Sequence, residues 1–445
     1  MSTNPAFSRR HFISRGVVLA STAFTVPWFI DMSARVLAAQ PGNGQSSRPG
    51  IPDERILVVV QLAGGNDGLN TVVPYADASY YKARPVIGIP EAKVLKLKDN
   101  DFVGLHPKLQ GLKDLYDSEQ LAVIQGVGYP NPNRSHFKSM DIWQTADTTG
   151  TGEGWIGRYF DCRCNGAQPK PGAQAGANAA TTPGALTGDA GIALGRNAPL
   201  AMQGRIFRPT SFETPELFRW TGLDVDKHME EPYHEIARTE HVAGLRGGDS
   251  SAAFLMRTAL DAQLASDNIR KAVERKPTVQ YPGTPLAKQL AMVASMIAAG
   301  LKTRVYYVTL GGFDTHSAQG NINGTQANLL DQVGSAIKAF YDDLKSQDND
   351  RRVLTMTFSE FGRRVAQNGS NGTDHGTAAP MFLAGPMVRP GVLGNHPSLT
   401  DLDAGDLKFT VDFRTVYAGI LQQWLKADPD AVLQGKFQAA KVVRA

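Results

Sequence analysis

Three apolar runs that read as buried strands each end in a cluster of glycine, acid and histidine. Ile56–Leu62 leads into Gly64-Gly65-Asn66-Asp67-Gly68, and Val305–Leu310 into Gly311-Gly312-Phe313-Asp314-Thr315-His316. Val353–Phe358 leads into Ser359-Glu360-Phe361-Gly362-Arg363, with Thr373-Asp374-His375-Gly376 shortly after. Continuous apolar runs suit strands covered on both faces, as in a parallel sheet. In open α/β sheets ligands bind at the carboxyl ends of the strands. Carboxylates and imidazoles gathered there are the donors a divalent metal takes.

The rest of the chain supports such a sheet. Further strands are expected at Leu121–Gly126 and Pro380–Ala384, and helices at Leu109–Asp117, Phe137–Thr145, Phe254–Val273, Leu286–Ala299, 326–345 and Phe413–Leu425. Strands alternating with helices predict an α/β fold: a three-layer sandwich around a mostly parallel central sheet. One domain is expected over 54–445, with an Ala-, Gly-, Pro- and Gln-rich insertion at about 165–191 and short irregular pieces over 192–250. A hydrophobic fraction of 42% is enough for its core.

The first 39 residues read as a targeting segment. Ser8-Arg9-Arg10-His11-Phe12-Ile13 is a paired-arginine signal, followed by an apolar stretch from Gly16 to Phe29 and small residues at Ala38 and Ala39. Pro27 and Asp31 interrupt the apolar run, which makes a spanning helix the weaker reading. The expectation is export of the folded protein by the twin-arginine machinery to the periplasm or another extracytoplasmic space, with membrane contact only during export. Residues 40–53 form a polar linker. Four arginines and one aspartate in 1–39 supply three of the four net positive charges, leaving +1 for the remainder. No basic stripe with interleaved aromatics remains, so nucleic acid is not an expected partner. The two cysteines, Cys162 and Cys164, either form a tight local disulfide in an oxidising compartment or stay free.

Each cluster residue has a plainer reading beside the chemical one. Asp67, in a glycine-flanked turn, either caps the next helix or ligates a metal; the later clusters favour the ligand. Asp314 and His316 can turn towards one ion from a loop. Asp374 and His375 are adjacent, so joint ligation needs the bent backbone that Gly372 and Gly376 permit. Glu360 could bind a second ion or form a salt bridge, and Arg363 could grip an oxyanion in bidentate fashion. Ser135, at a helix start, is a nucleophile or only an N-cap, with His136 as the alternative functional residue. His396 could be a late imidazole ligand. His106 reads as a structural histidine, and His228, His234 and His241 have no convergent partners.

Taken together the motifs resemble one exported bacterial family. Gly64 to Thr71, Asn133-Arg134-Ser135-His136-Phe137, Asp141-Ile142-Trp143-Gln144-Thr145, Gly312 to His316, Phe358 to Arg363 and Thr373 to Gly376 look like the family called domain of unknown function 1501. That family is grouped with the alkaline phosphatase and sulfatase superfamily. The resemblance implies an alkaline-phosphatase-like sandwich with one or two divalent ions (zinc, manganese or calcium) that cleaves phosphate or sulfate esters. Asp67 resembles the superfamily's first-strand metal aspartate, and Ser135 lies in the region of its nucleophile. Asp314 with His316 resembles the pair on one metal, Asp374 with His375 the adjacent pair on the other, and His396 the final histidine. Two departures stand out: the Asp314-to-His316 spacing is short, and no cysteine lies near Ser135 to yield a formylglycine.

The expected function is therefore an exported metal-dependent hydrolase of small or polymeric phosphate or sulfate esters. Ser135 attacks, and Arg363 or Arg134 holds the non-bridging oxygens. The rivals are a non-catalytic binding or assembly protein on the same scaffold, and a metal-dependent mutase or transferase.

Overall fold

The computed structural model describes residues 55–164, 190–215, 266 and 268–444. The expected signal, linker and low-complexity insertion, most of the helix at 254–273, and His228, His234 and His241 lie outside the described residues.

The core is a mixed, mostly parallel nine-stranded sheet. Its strands are β1 (Ile56–Leu62), β2 (Leu121–Gly128), β3 (Gly191–Leu194), β4 (Thr210–Phe212), β5 (Val305–Leu310), β6 (Val353–Phe358), β7 (Ala379–Ala384), β8 (Gly391–Leu393) and β9 (Val411–Asp412). They run in the order β8-β2-β7-β6-β1-β5-β3-β4, with β9 also on β2. Only β7 is antiparallel to its neighbours, β2 and β6. β1 sits at the centre between β5 and β6, parallel to both, and all seven of its residues are buried.

Alternation along β1 divides the core. Val58 and Val60 pack with Leu112, Leu290 and Val333, from helices α1 (Gln110–Asp117), α4 (Pro285–Ala298) and α5 (Thr325–Ser346). Leu57 and Val59 join Trp143, Tyr159 and Tyr417, from helices α2 (His136–Thr145), α3 (Trp155–Cys164) and α6 (Phe413–Gly419). Period-two side chains on a strand covered from both faces explain why the run reads as uniformly apolar. The expected helix over Phe413–Leu425 changes to a π-helical turn at Ile420–Trp424.

Two elements depart from the sequence reading. β3 and β4 lie in a region expected to be irregular; at four and three residues they carry too short a pattern to read. Cys162, whose state the sequence left open, is an exposed free thiol on α3. Among the described residues no helix is long and apolar enough to cross a membrane.

Register sets the site. Leu62 pairs with Leu310, and Gln61 with Phe358, so β1, β5 and β6 end level. The loops at 63–67, 311–316 and 359–363 leave from one edge of the sheet. β2 runs in the same direction, and its outgoing segment delivers Ser135 and His136 to that edge as α2 begins.

Candidate metal site

Among the described residues, His136, Asp314 and His375 bring one donor atom each within 4.8 Å of one another. Asp314 Oδ1 is the centre, 3.5 Å from His136 Nε2 and 3.2 Å from His375 Nε2. Phe361 packs against both imidazoles, with ring centroids 4.9 Å from His136 and 4.7 Å from His375. His316 meets the group from outside, its Nε2 2.8 Å from His375 Nε2 and 3.1 Å from Asp314 Oδ1.

The outer contacts assign the tautomers. His375 Nδ1 lies 2.9 Å from the Arg134 carbonyl, which can only accept, so Nδ1 carries a proton. Burial, the largest influence, lowers the His375 pKa, against the raising effect of its bonds to the Arg134 carbonyl and Asp314. Burial pushes the Asp314 carboxyl up, but hydrogen bonding and charge from Arg363, with His375 and His316, outweigh it and pull the pKa down to about 2. His375 Nε2 and the Asp314 carboxylate oxygen face each other at 3.2 Å. Arg363 Nη2 already meets this carboxylate oxygen at 2.6 Å, and two imidazoles and a carboxylate gathered so closely are a donor set that fits a divalent cation.

Arg363 is 1% exposed and forms the floor of the site. Nε donates to the Gly65 carbonyl at 2.6 Å and Nη1 to that of Thr373 at 2.9 Å. Nη2 donates to the Gly64 and Phe313 carbonyls and to Asp314 Oδ1 at 2.6 Å. One side chain thus ties together the loops after β1, β5 and β6. It is a clamp within the protein, not the substrate grip expected from the sequence.

The other expected residues take varied places. Glu360, 2% exposed, accepts from Gly64 N–H at 2.8 Å and faces His136 Nδ1 at 2.8 Å through Oε1, while Ser359 Oγ, which donates to the Leu62 carbonyl, lies 3.2 Å from Oε2. Asp374 Oδ1 accepts from Asn368 Nδ2 and faces His316 Nδ1 at 3.2 Å, and these contacts, the Asn368 bond first, lower its pKa. Arg134 pairs its side chain with buried Asp406 while its carbonyl holds His375. Ser135 is exposed at the N-cap of α2, and its side chain makes no capping bond.

Asp67 lies beneath the site, fully buried. Arg84 pairs with its Oδ2 at 2.5 Å and Gln319 Nε2 donates to the same oxygen at 2.6 Å. Gln319 Oε1 in turn accepts from Thr315 and Thr373, the neighbours of Asp314, His316 and Asp374 in the chain. His396 stands apart, edge-on to Phe102 with centroids 5.4 Å apart. His106 is buried, 2.9 Å from the Asn321 carbonyl, in keeping with its structural reading.

His136 is the site residue that the metal reading of the sequence omitted. Its signal was present in Asn-Arg-Ser-His at a helix start, where the serine drew attention first. Arg84 and Gln319 gave no signal, because neither sits in a cluster along the chain.

No curated protein matches this sequence. Two crystal structures of Ps i-CgsB, one in complex with k-i-k-neocarrahexaose, are 12% and 11% identical to it. They cover 77% and 86% of this chain and 69% and 75% of their own, with TM-scores of 0.32 and 0.37, too low to argue from. Residues 227–435 match the family model described as Protein of unknown function (DUF1501), in support of the family whose motifs this chain resembles.

Proposed function

We propose that the protein is an exported metal-dependent hydrolase of phosphate or sulfate esters, built on an alkaline-phosphatase-like three-layer sandwich. The observation that carries this reading is the convergence of His136, Asp314 and His375 at the carboxyl edge of the sheet. Three protein donors with one position left open is the pattern of catalytic, not structural, zinc sites. A divalent ion held there supplies Lewis acidity, which lowers the pKa of a hydroxyl and offsets charge on ester oxygens.

The chain's own groups supply the rest. Ser135 adjoins His136 in sequence, is open to solvent and spends no bond on capping its helix, so its hydroxyl is free to attack phosphorus or sulfur. It loses its proton to solvent as the ester bond breaks and the alcohol leaves; water then hydrolyses the seryl ester. The α2 N-terminus favours the negative charge that develops beside it. His316, backed by Asp374, borders the group through His375. Export rests on the paired-arginine segment, and replacing Arg9 and Arg10 by lysine should hold the protein in the cytoplasm.

The deciding experiment is hydrolysis of p-nitrophenyl phosphate and p-nitrophenyl sulfate by the zinc- or manganese-loaded protein. Turnover of one ester, lost in Ser135→Ala and His375→Ala, is expected. Stoichiometric metal with no turnover of either ester would replace the hydrolase by a non-catalytic binding protein.

A further inference from the structure

We infer that Glu360 is a positioning residue for the metal group, not a ligand, and that it aims His136 at a site selective for a zinc-class ion over calcium. This rests on the metal reading proposed above and deepens it.

Glu360 Oε1 is fully engaged behind His136. Oε1 takes the Gly64 N–H at 2.8 Å and faces His136 Nδ1 at 2.8 Å, while Oε2 lies 3.2 Å from Ser359 Oγ, whose proton goes to the Leu62 carbonyl at 2.6 Å. Its backbone carbonyl accepts from Ser139 Oγ on α2 at 2.5 Å. One residue at the end of β6 is thereby tied to the β1 loop and to the helix that carries His136. With Nδ1–H donating to the carboxylate, His136 turns Nε2 towards Asp314 Oδ1. The Arg134 carbonyl does the same for His375. A carboxylate or carbonyl behind each imidazole is how proteins fix the tautomer and ring orientation of metal-binding histidines.

The donor set gives the metal class. Two imidazole nitrogens and one carboxylate oxygen suit zinc and neighbouring transition ions, whereas calcium takes six to eight oxygens.

The test uses the full apo protein and zinc alone, with affinity read by chelator competition. Glu360→Gln should weaken zinc binding about 10–100-fold, the usual effect of losing such a partner. In a His136→Ala background the same change should cost little more, because its effect passes through His136. Unchanged affinity in Glu360→Gln, or equal losses in both backgrounds, overturns the inference. So does a loss as complete as that of Asp314→Ala, which would make Glu360 a ligand. Should Glu360→Gln fail to fold, nitrogen-15 NMR of the zinc-loaded unaltered protein decides: His136 protonated on Nδ1 and zinc-bound through Nε2 supports the assignment, and the reverse overturns it. Calcium that displaces zinc at equal concentration overturns the metal class. Tight zinc binding without ester turnover would remove the hydrolase reading and leave this inference standing.

Discussion

Arg363 has no N–H to spare for a substrate, because its donors meet four backbone carbonyls, Asp314 and, through Nη1 at 3.4 Å, His316 Nε2. Arg363→Ala strands those acceptors, and stability should fall by about 3–5 kcal/mol in urea titrations. Asp67→Ala should cost a similar amount, about 3–5 kcal/mol, because it leaves the Arg84 guanidinium buried and uncompensated. Zinc affinity of its folded fraction should stay within a few-fold; were Asp67 a ligand, affinity would collapse with little loss of stability. Ser135→Ala should shift stability by no more than about 0.5 kcal/mol, as an exposed side chain with no capping bond, while abolishing turnover. At this scale the sequence was legible for Asp314 and His375, which follow strand and glycine signals in the chain. It was misleading for Arg363: a basic residue beside a cluster looks the same whether it faces substrate or backbone. The partnership of Asp67 with Arg84 was invisible, since neither periodicity nor spacing reveals which side chains fold beneath a loop.

Glycine governs how closely the loops approach. Gly64 has φ +120°, and a Cβ there would lie 2.5 Å from the Asp314 backbone nitrogen. Gly64→Ala should therefore cost about 1–3 kcal/mol in backbone strain and also weaken zinc binding by shifting Asp314, read by melting and chelator competition on the same samples. The strands that carry the site were legible because β1, β5 and β6 are long, apolar and followed by glycine. β7 was legible as a strand but not as antiparallel, because its direction depends on how the segment from 359 to 378 returns across the edge. β3 and β4, with four and three residues, take their strand character from pairing with β5 and each other.

For the whole molecule, an ion that binds only the folded chain must stabilise it. At a free zinc concentration a hundred times the dissociation constant the gain is about 2.7 kcal/mol, so zinc should raise the melting temperature in calorimetry. His375→Ala should remove that shift without lowering the apo melting temperature appreciably. The sheet brings the ends of β1, β2, β5 and β6 to one edge, which is how His136 and His375, 239 positions apart, come into ring contact at 4.4 Å. The most direct test is anomalous diffraction at the zinc edge from zinc-soaked crystals. The account predicts a peak about 2.0–2.2 Å from His136 Nε2, Asp314 Oδ1 and His375 Nε2. A peak at Asp67 or His396 instead, or none in protein that retains zinc in solution, would contradict it.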